Sequence, residues 1–351
     1  MRTHIAALSA LLTLPLAATA SAAAPPSSSD WEVGVVDSDQ SFRGLDAVDR
    51  DTAWVAGGSV SGGAGSVYRT TDGGETWQDV RPPGSDGLMF RDVEARDDDT
   101  AVVLAIGPGE ASRVYRTTDG GQSWEEAFRN QEEAAFFNCI DFAPGDRVGL
   151  GVSDPVDGKF RIIRTTDGGA SWEVLPDAGM PDSSGEVNFS ASGDCLTMTG
   201  HDAWFGAGGE DARVYHSDDR GTTWEAGDAA LPSGAAAGVF ALDFANPRQG
   251  IAVGGDFADP SAGTSSTSGD GRQWDGAGEL THLGEDVAWI NRGRATALTV
   301  GEGGGTGGTS ITHDGGRTWE RIGDEAFHTL DCVPSGECWA AGGDGRVGRS
   351  I

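Results

Sequence analysis

TTDGGETW, residues 70–77, recurs as TTDGGQSW at 117–124, TTDGGASW at 165–172, SDDRGTTW at 217–224 and THDGGRTW at 312–319. A sixth copy, TSGDGRQW at 267–274, has its Asp one place out of register. The closing tryptophans Trp77, Trp124, Trp172, Trp224, Trp274 and Trp319 follow one another at intervals of 47, 48, 52, 50 and 45 residues. That interval is the length of one four-stranded β-propeller blade. Asp72, Asp119, Asp167, Asp219 and Asp314 are placed to accept N–H bonds inside a turn, and the Gly two positions on permits positive φ. The Trp then opens the outer strand and buries its ring. Ahead of the boxes lie short β-type runs: VYRT from Val67 and from Val114, IIRT from Ile162, VYHS from Val214 and SIT from Ser310. A site is needed once, so repetition in every unit assigns the boxes to structure.

Each unit reads inner strand, second strand, third strand, box, outer strand. The expected inner strands are FRGLDAV from Phe42, FRDVEA from Phe90, FNCIDF from Phe137, EVNFSAS from Glu186, VFALDF from Val239 and EDVAWI from Glu285. The C-terminus supplies three more strands, FHTLDCV from Phe327, CWAAGGDG from Cys338 and RVGRSI from Arg346, with no box after them. Trp31-Glu32-Val33 matches the Trp-Glu openings of the outer strands, so the N-terminal strand is expected to complete the last blade and leave no open seam. The fold class is all-β: one seven-bladed propeller domain over residues 25–351, with four-stranded antiparallel blades.

Residues 1–24 read as a cleaved export signal, with Arg2, an apolar run from Ile5 to Ala18 and small residues before the cleavage point. The expected location is secreted or periplasmic. No later apolar run reaches the roughly 18 residues that span a bilayer. Four cysteines suit an oxidising compartment. Cys332 and Cys338 flank VPSGE and would face each other across a hairpin, which predicts a disulfide; Cys139 and Cys195 fall in neighbouring blades and leave a second pairing open. Zinc spacing is absent, and no metal or cofactor is expected. The net charge is -31, with Lys159 the only lysine. That balance opposes nucleic acid and anionic lipid, and fits a solubilising acidic surface or a cationic partner.

Loops entering the inner strands and loops joining second to third strands share one face around the channel. Aligning the inner strands puts Arg43, Arg91, Asn138, Phe240 and His328 in one column at the strand entrance, with Glu186 and Glu285 beside them. The joining loops add Asp154, Asp157, Lys159 and Asp256. Two arginines and a histidine in one mouth suggest a site for a small anion or carboxylate. The competing reading is that these side chains pair with Asp46, Glu94 and Asp141 and staple adjacent blades. Catalysis has thinner support. A sialidase-type hydrolase needs a Tyr nucleophile with a Glu partner, yet Tyr68, Tyr115 and Tyr215 occupy one repeated third-strand position. Asp154 and Asp157 would serve a glycoside hydrolase acting on extracellular glycans as an acid and base pair, and that is the alternative function. Nucleophile-elbow, HExxH and phosphate-loop motifs are missing.

The stretches FRGLDAVDRDTAWVAGG from Phe42, RTTDGGETW from Arg69, GVSDPVDGKF from Gly151 and AVGGDF from Ala252 resemble BNR-repeat propellers of the photosystem II stability/assembly-factor-like group. The resemblance covers nearly the whole chain after the leader. It implies a scaffold that binds a protein client through an arginine patch, of which Arg43 and Arg91 would be a partial counterpart. The expected function is therefore a non-catalytic scaffold taking a protein or small anionic ligand at the channel mouth.

Overall fold

A computed structural model describes residues 31–350 except 146 and 292–294. The export signal expected over residues 1–24 lies outside the described residues. Seven sheets follow one another around a central channel, each four-stranded and antiparallel, with one enlarged. The blades begin at inner strands Gln40–Ala47, Met89–Ala95, Phe137–Phe142, Leu196–Thr199, Gly234–Asn246, Asp286–Asn291 and Thr329–Cys332. Trp31–Val35 pairs antiparallel with Arg346–Ser350, so the first strand of the chain is the outer strand of blade seven. Both disulfides form, Cys332–Cys338 within that blade and Cys139–Cys195 between blades three and four.

One inner strand differs from the sequence reading. Glu186 was expected to open blade four, but that blade's inner strand is Leu196–Thr199, paired with Asp202–Gly206. Glu186–Val187 instead pairs with Gly208–Gly209, which joins the long inner strand of blade five and enlarges that sheet to six strands. Residues 188–195 are thereby freed from any blade.

The boxes close each turn between third and outer strand in the same way. Thr165 Oγ1 donates to Asp167 and accepts the Gly169 N–H, while Asp167 accepts from the backbone and hydroxyl of Ser171. Gly168 and Gly169 both have positive φ, near 80°. The displaced sixth box keeps this logic: Asp270 accepts from Ser268, Arg272 and Gln273. Box tryptophans then pack edge-on against a ring of the preceding blade or of their own blade's inner strand, as in Trp54–Trp124, Trp77–Trp339 and Phe142–Trp172.

Blades are joined at the axis by carboxylates. Asp46 accepts the Ala95 N–H, Asp92 that of Ile140, Asp141 that of Met198, Asp243 that of Trp289, Asp286 that of Leu330 and Asp331 that of Ala47. Each bond runs from one blade to the next. Between blades four and five the acceptor is a main-chain oxygen, that of Asp194, which takes the Leu242 N–H. Burial, reinforced by carboxylate neighbours, pushes the pKa values of Asp46, Asp141, Asp194 and Glu94 well above the ordinary carboxylate range. Asp92 and Asp286 are raised to about 7 for the same leading reason, with hydrogen bonds opposing the shift. The stapling expected of Asp46 and Asp141 is thus present, through the neighbouring blade's amides instead of through Arg43 and Arg91.

Candidate functional site at the channel mouth

In four blades the entrance of the inner strand is anchored by an aromatic ring. Phe42, Phe90, Phe137 and Phe327 are at most 2% exposed, a burial that contributes about 1.5–3 kcal/mol each. The residue after the ring is the extra one of a β-bulge: Arg43 lies between Phe42 and Gly44, which face Gly57 and Ala56, and Arg91, Asn138 and Phe240 sit in equivalent breaks. His328 also donates its N–H to Ala341, the partner of Thr329. A bulge re-aims its side chain. The repeat therefore turns Arg43, Arg91, Asn138 and Phe240, from four of the blades, toward the mouth.

Those residues meet the segment 188–195, which leaves blade four and crosses the channel entrance. Arg91 donates to the carbonyl of Ser190 and Arg43 to that of Ala191. Gly193 donates its N–H to the Arg43 carbonyl at 2.8 Å, and Ser192 Oγ reaches the Glu285 carbonyl at 3.4 Å. Asn138 holds Asp154 at 3.1 Å, and Asp154 accepts the Asn188 N–H at 3.0 Å. Ala191 and Ser192 are buried, Phe189 packs on Phe240 and Phe257, and the segment ends at the Cys139–Cys195 disulfide. It is a plug tied to blades one, two, three, five and six. Its sequence alternates polar and apolar residues from Glu186 to Ser192 as a strand would, which is why it reads as an inner strand; its destination needed the ring.

A charged network lies beside the plug. His328 Nδ1 is 2.6 Å from Glu285, its Nε2 is 3.4 Å from Glu302, and Glu302 also takes Arg346 at 2.6 Å. Burial works to raise the Glu285 pKa, but the bonds and charges of His328 and Arg43 outweigh it and hold it below the ordinary value. Burial and the neighbouring Arg43 guanidinium push Arg91 down to about 9. Asp154 is raised by burial against its two amide bonds.

The structure thus gathers Arg43, Arg91, Asn138, Asp154, Phe240 and His328 around one plug. Other candidates are engaged apart from it. Asp157 forms the positive-φ corner of a hairpin, Lys159 donates to the Asp177 carbonyl, and Asp256 accepts the Ala258 N–H within its own turn. Glu186 accepts from the Tyr215 hydroxyl at 2.7 Å and pairs with Arg213. Burial leads in raising the Tyr215 phenol, with Glu186 adding to it, and its ring stacks on Phe205. A phenol held protonated in a packed core is the reverse of an activated nucleophile. Among the described residues no group of three or more His, Cys, Asp or Glu is arranged to hold a metal ion.

Around the plug the same face presents exposed apolar side chains: Val60 at 62%, Met89 at 46% and Phe257 at 43%, with Val187 nearby in topology. Residues 60–65 and 257–258 join second to third strands, and Met89 opens an inner strand, so all belong to the mouth side.

Fold and boxes together define a seven-bladed Asp-box β-propeller. The BNR/Asp-box repeat family model matches residues 68–79. Among solved structures, YCF48 bound to a D1 peptide is 17% identical, with a TM-score of 0.64 over 92% of this chain and 96% of that one. YCF48 from Cyanidioschyzon merolae is also 17% identical, with a TM-score of 0.62 over 91% of this chain and 98% of that one. No curated protein matches the sequence. The resemblance to BNR-repeat propellers stands in both the repeat and the fold.

Proposed function

We propose that this chain is an exported, non-catalytic scaffold that binds a segment of a partner protein across the channel-mouth face. The observation that carries the reading is the engagement of main-chain carbonyls at Ser190 and Ala191 by Arg91 and Arg43. A mouth lined with guanidinium donors suits extended backbone, or a carboxylate on a small anion, since both offer planar oxygen acceptors. Met89, Phe257 and Val60 surround it as apolar anchors of the kind a peptide side chain covers. The similar propeller YCF48 is solved with a D1 peptide, which supports a peptide over a small ion. The two disulfides fit an oxidising compartment and support export.

The test selects a random-peptide display library on immobilised protein, with a glycan panel assayed in parallel for bond cleavage. Enriched peptides should lose binding at least about tenfold, worth about 1.4 kcal/mol, on combining Met89→Asp with Phe257→Asp while the melting temperature holds. Arg43 and Arg91 are poor first targets because they also hold the plug. Peptide binding untouched by the double variant would move the site off this face, and glycan cleavage would make the chain a hydrolase.

A further inference from the structure

Blade seven ends in a free edge. Its outer strand, Trp31–Val35, pairs only with Arg346–Ser350. The Val36 N–H donates to the Gly345 carbonyl, and in the same register Gly34 lies opposite Val347 and Glu32 opposite Arg349. Those alternate residues turn their main-chain groups inward, so the N–H and C=O of Val33 and Val35 face outward. The side chains of Val33 and Val35 are 38% and 63% exposed. The outer strands of blades one and three, Gln78–Asp79 and Glu173–Val174, are only two residues long, a length that protects an edge. This strand runs five.

Gly34 opens a groove beside that edge. Glu32 pairs with Arg349, whose guanidinium lies against Gly73, so the face of the strand that carries Glu32 and Gly34 looks at the box of blade one. In blade one the same position is Val80, which donates its N–H to the Val67 carbonyl. Val80 is 9% exposed, leaves no room for a side chain at Gly121 of the next box, and accepts the Trp124 indole N–H at 2.7 Å. Blade three has Leu175 there, bonded to the Ile162 carbonyl and also buried. At Gly34 an added Cβ would meet nothing within 4 Å. The groove that results has a volume of about 490 Å³, with Gly34, Gly74, Glu75, Trp77, Trp339 and Val347 among its walls. Trp77 is partly exposed, and its indole N–H has no partner among the described residues.

An unpaired edge takes an extended chain, and the missing side chain at Gly34 takes an apolar one. Charge sets the flanks. Glu75 is exposed and has no ion-pair partner among the described residues, Arg349 is taken up by Glu32, and the chain as a whole carries -31. We propose that the outer edge of blade seven docks an extended basic segment of a partner protein, which adds to the sheet as a further strand and seats a valine-sized side chain between Gly34 and Trp77. Main-chain bonds then supply affinity and the groove supplies specificity. The site lies on the rim, apart from the mouth, and neither reading depends on the other.

Fluorescence anisotropy of a labelled peptide, Lys-Thr-Lys-Thr-Val-Thr-Lys-Thr-Lys, titrated with the whole protein tests it. In an extended chain the valine and lysines share one face. Gly34→Val fills the groove as Val80 does in blade one, and is expected to weaken binding by about tenfold or more with no loss of melting temperature. Val33→Pro removes an outward N–H and spares the blade's own ladder; it should cost binding as much. A peptide with glycine in place of valine should also bind about tenfold more weakly, which reads the groove even if Gly34→Val folds poorly. No binding, binding indifferent to Val33→Pro or to Gly34→Val, or a glycine peptide equal to the valine one overturns the proposal. A loss on combining Met89→Asp with Phe257→Asp overturns it too, by moving the peptide to the mouth. So does a dimer in light scattering that Val33→Pro dissolves, because the edge then belongs to a second copy.

Discussion

Thr165 is 1% exposed, and its Oγ1 takes the Gly169 N–H at 3.0 Å while donating to Asp167 at 2.8 Å. The buried hydroxyl is the inner half of the box, and the partly exposed aspartate is its outer half. Thr165→Val keeps the shape and strands a buried N–H, so a loss of about 1–3 kcal/mol is expected, read by denaturant titration. An unchanged midpoint would show that water replaces the hydroxyl. Gly193 has a different constraint. A Cβ there would collide with the Asp92 carboxylate beneath the plug. Gly193→Ala should therefore cost about 1–3 kcal/mol by overpacking, and faster amide exchange confined to 188–195 would be its local sign.

The elements differ in what fixes them. Box turns are local: hydroxyl, aspartate and two glycines lie within eight residues, which is why the sequence exposes them. The plug is tertiary. Its ends are Val187 and Leu196, and only the paired edges Glu186–Val187 with Gly208–Gly209 and Leu196–Thr199 with Asp202–Gly206 reveal that what lies between belongs to neither strand. Its disulfide spans 56 residues, against 6 for Cys332–Cys338. On a chain-entropy basis the first restrains the unfolded chain by about 4 kcal/mol and the second by about 2 kcal/mol. Cys139→Ser with Cys195→Ser should accordingly lower the melting temperature more than Cys332→Ser with Cys338→Ser. The first pair alone should also raise hydrogen exchange across 188–195. Equal effects would mean that Arg43, Arg91 and the buried Ala191 hold the plug without covalent help.

At the scale of the ring, two sets of carboxylates pull stability in opposite directions. Asp92 and Asp286 titrate near 7 in the folded protein, against about 3.9 when unfolded. The native state then binds more protons between pH 4 and 7, so their contribution is complete at low pH and is lost as pH rises through that window. The box aspartates behave in reverse: Asp167 is held at about 2, and Asp72, Asp119, Asp219 and Asp314 are also lowered. Their contribution is present at neutral pH and is lost as pH falls below about 4. Melting temperature should therefore peak at mildly acidic pH, near about 4–5, and decline on both sides. Asp286→Asn, which keeps an acceptor for the Leu330 N–H, should flatten the alkaline limb. A profile still rising from pH 5 to 7 would contradict the inner-ring assignment.

By itself, the sequence determined the blade, its count and its closure, because a phrase repeated every 45–52 residues and a stray Trp31-Glu32 strand are local patterns tied to backbone geometry. It also brought Arg43, Arg91, Asn138 and His328 to one mouth, since they follow the inner-strand ring in each repeat. The tertiary structure alone decided what those side chains hold. The carbonyls of Ala191 and Ser190 lie 148 and 99 residues away from Arg43 and Arg91 respectively, and no periodicity encodes a segment that leaves its blade.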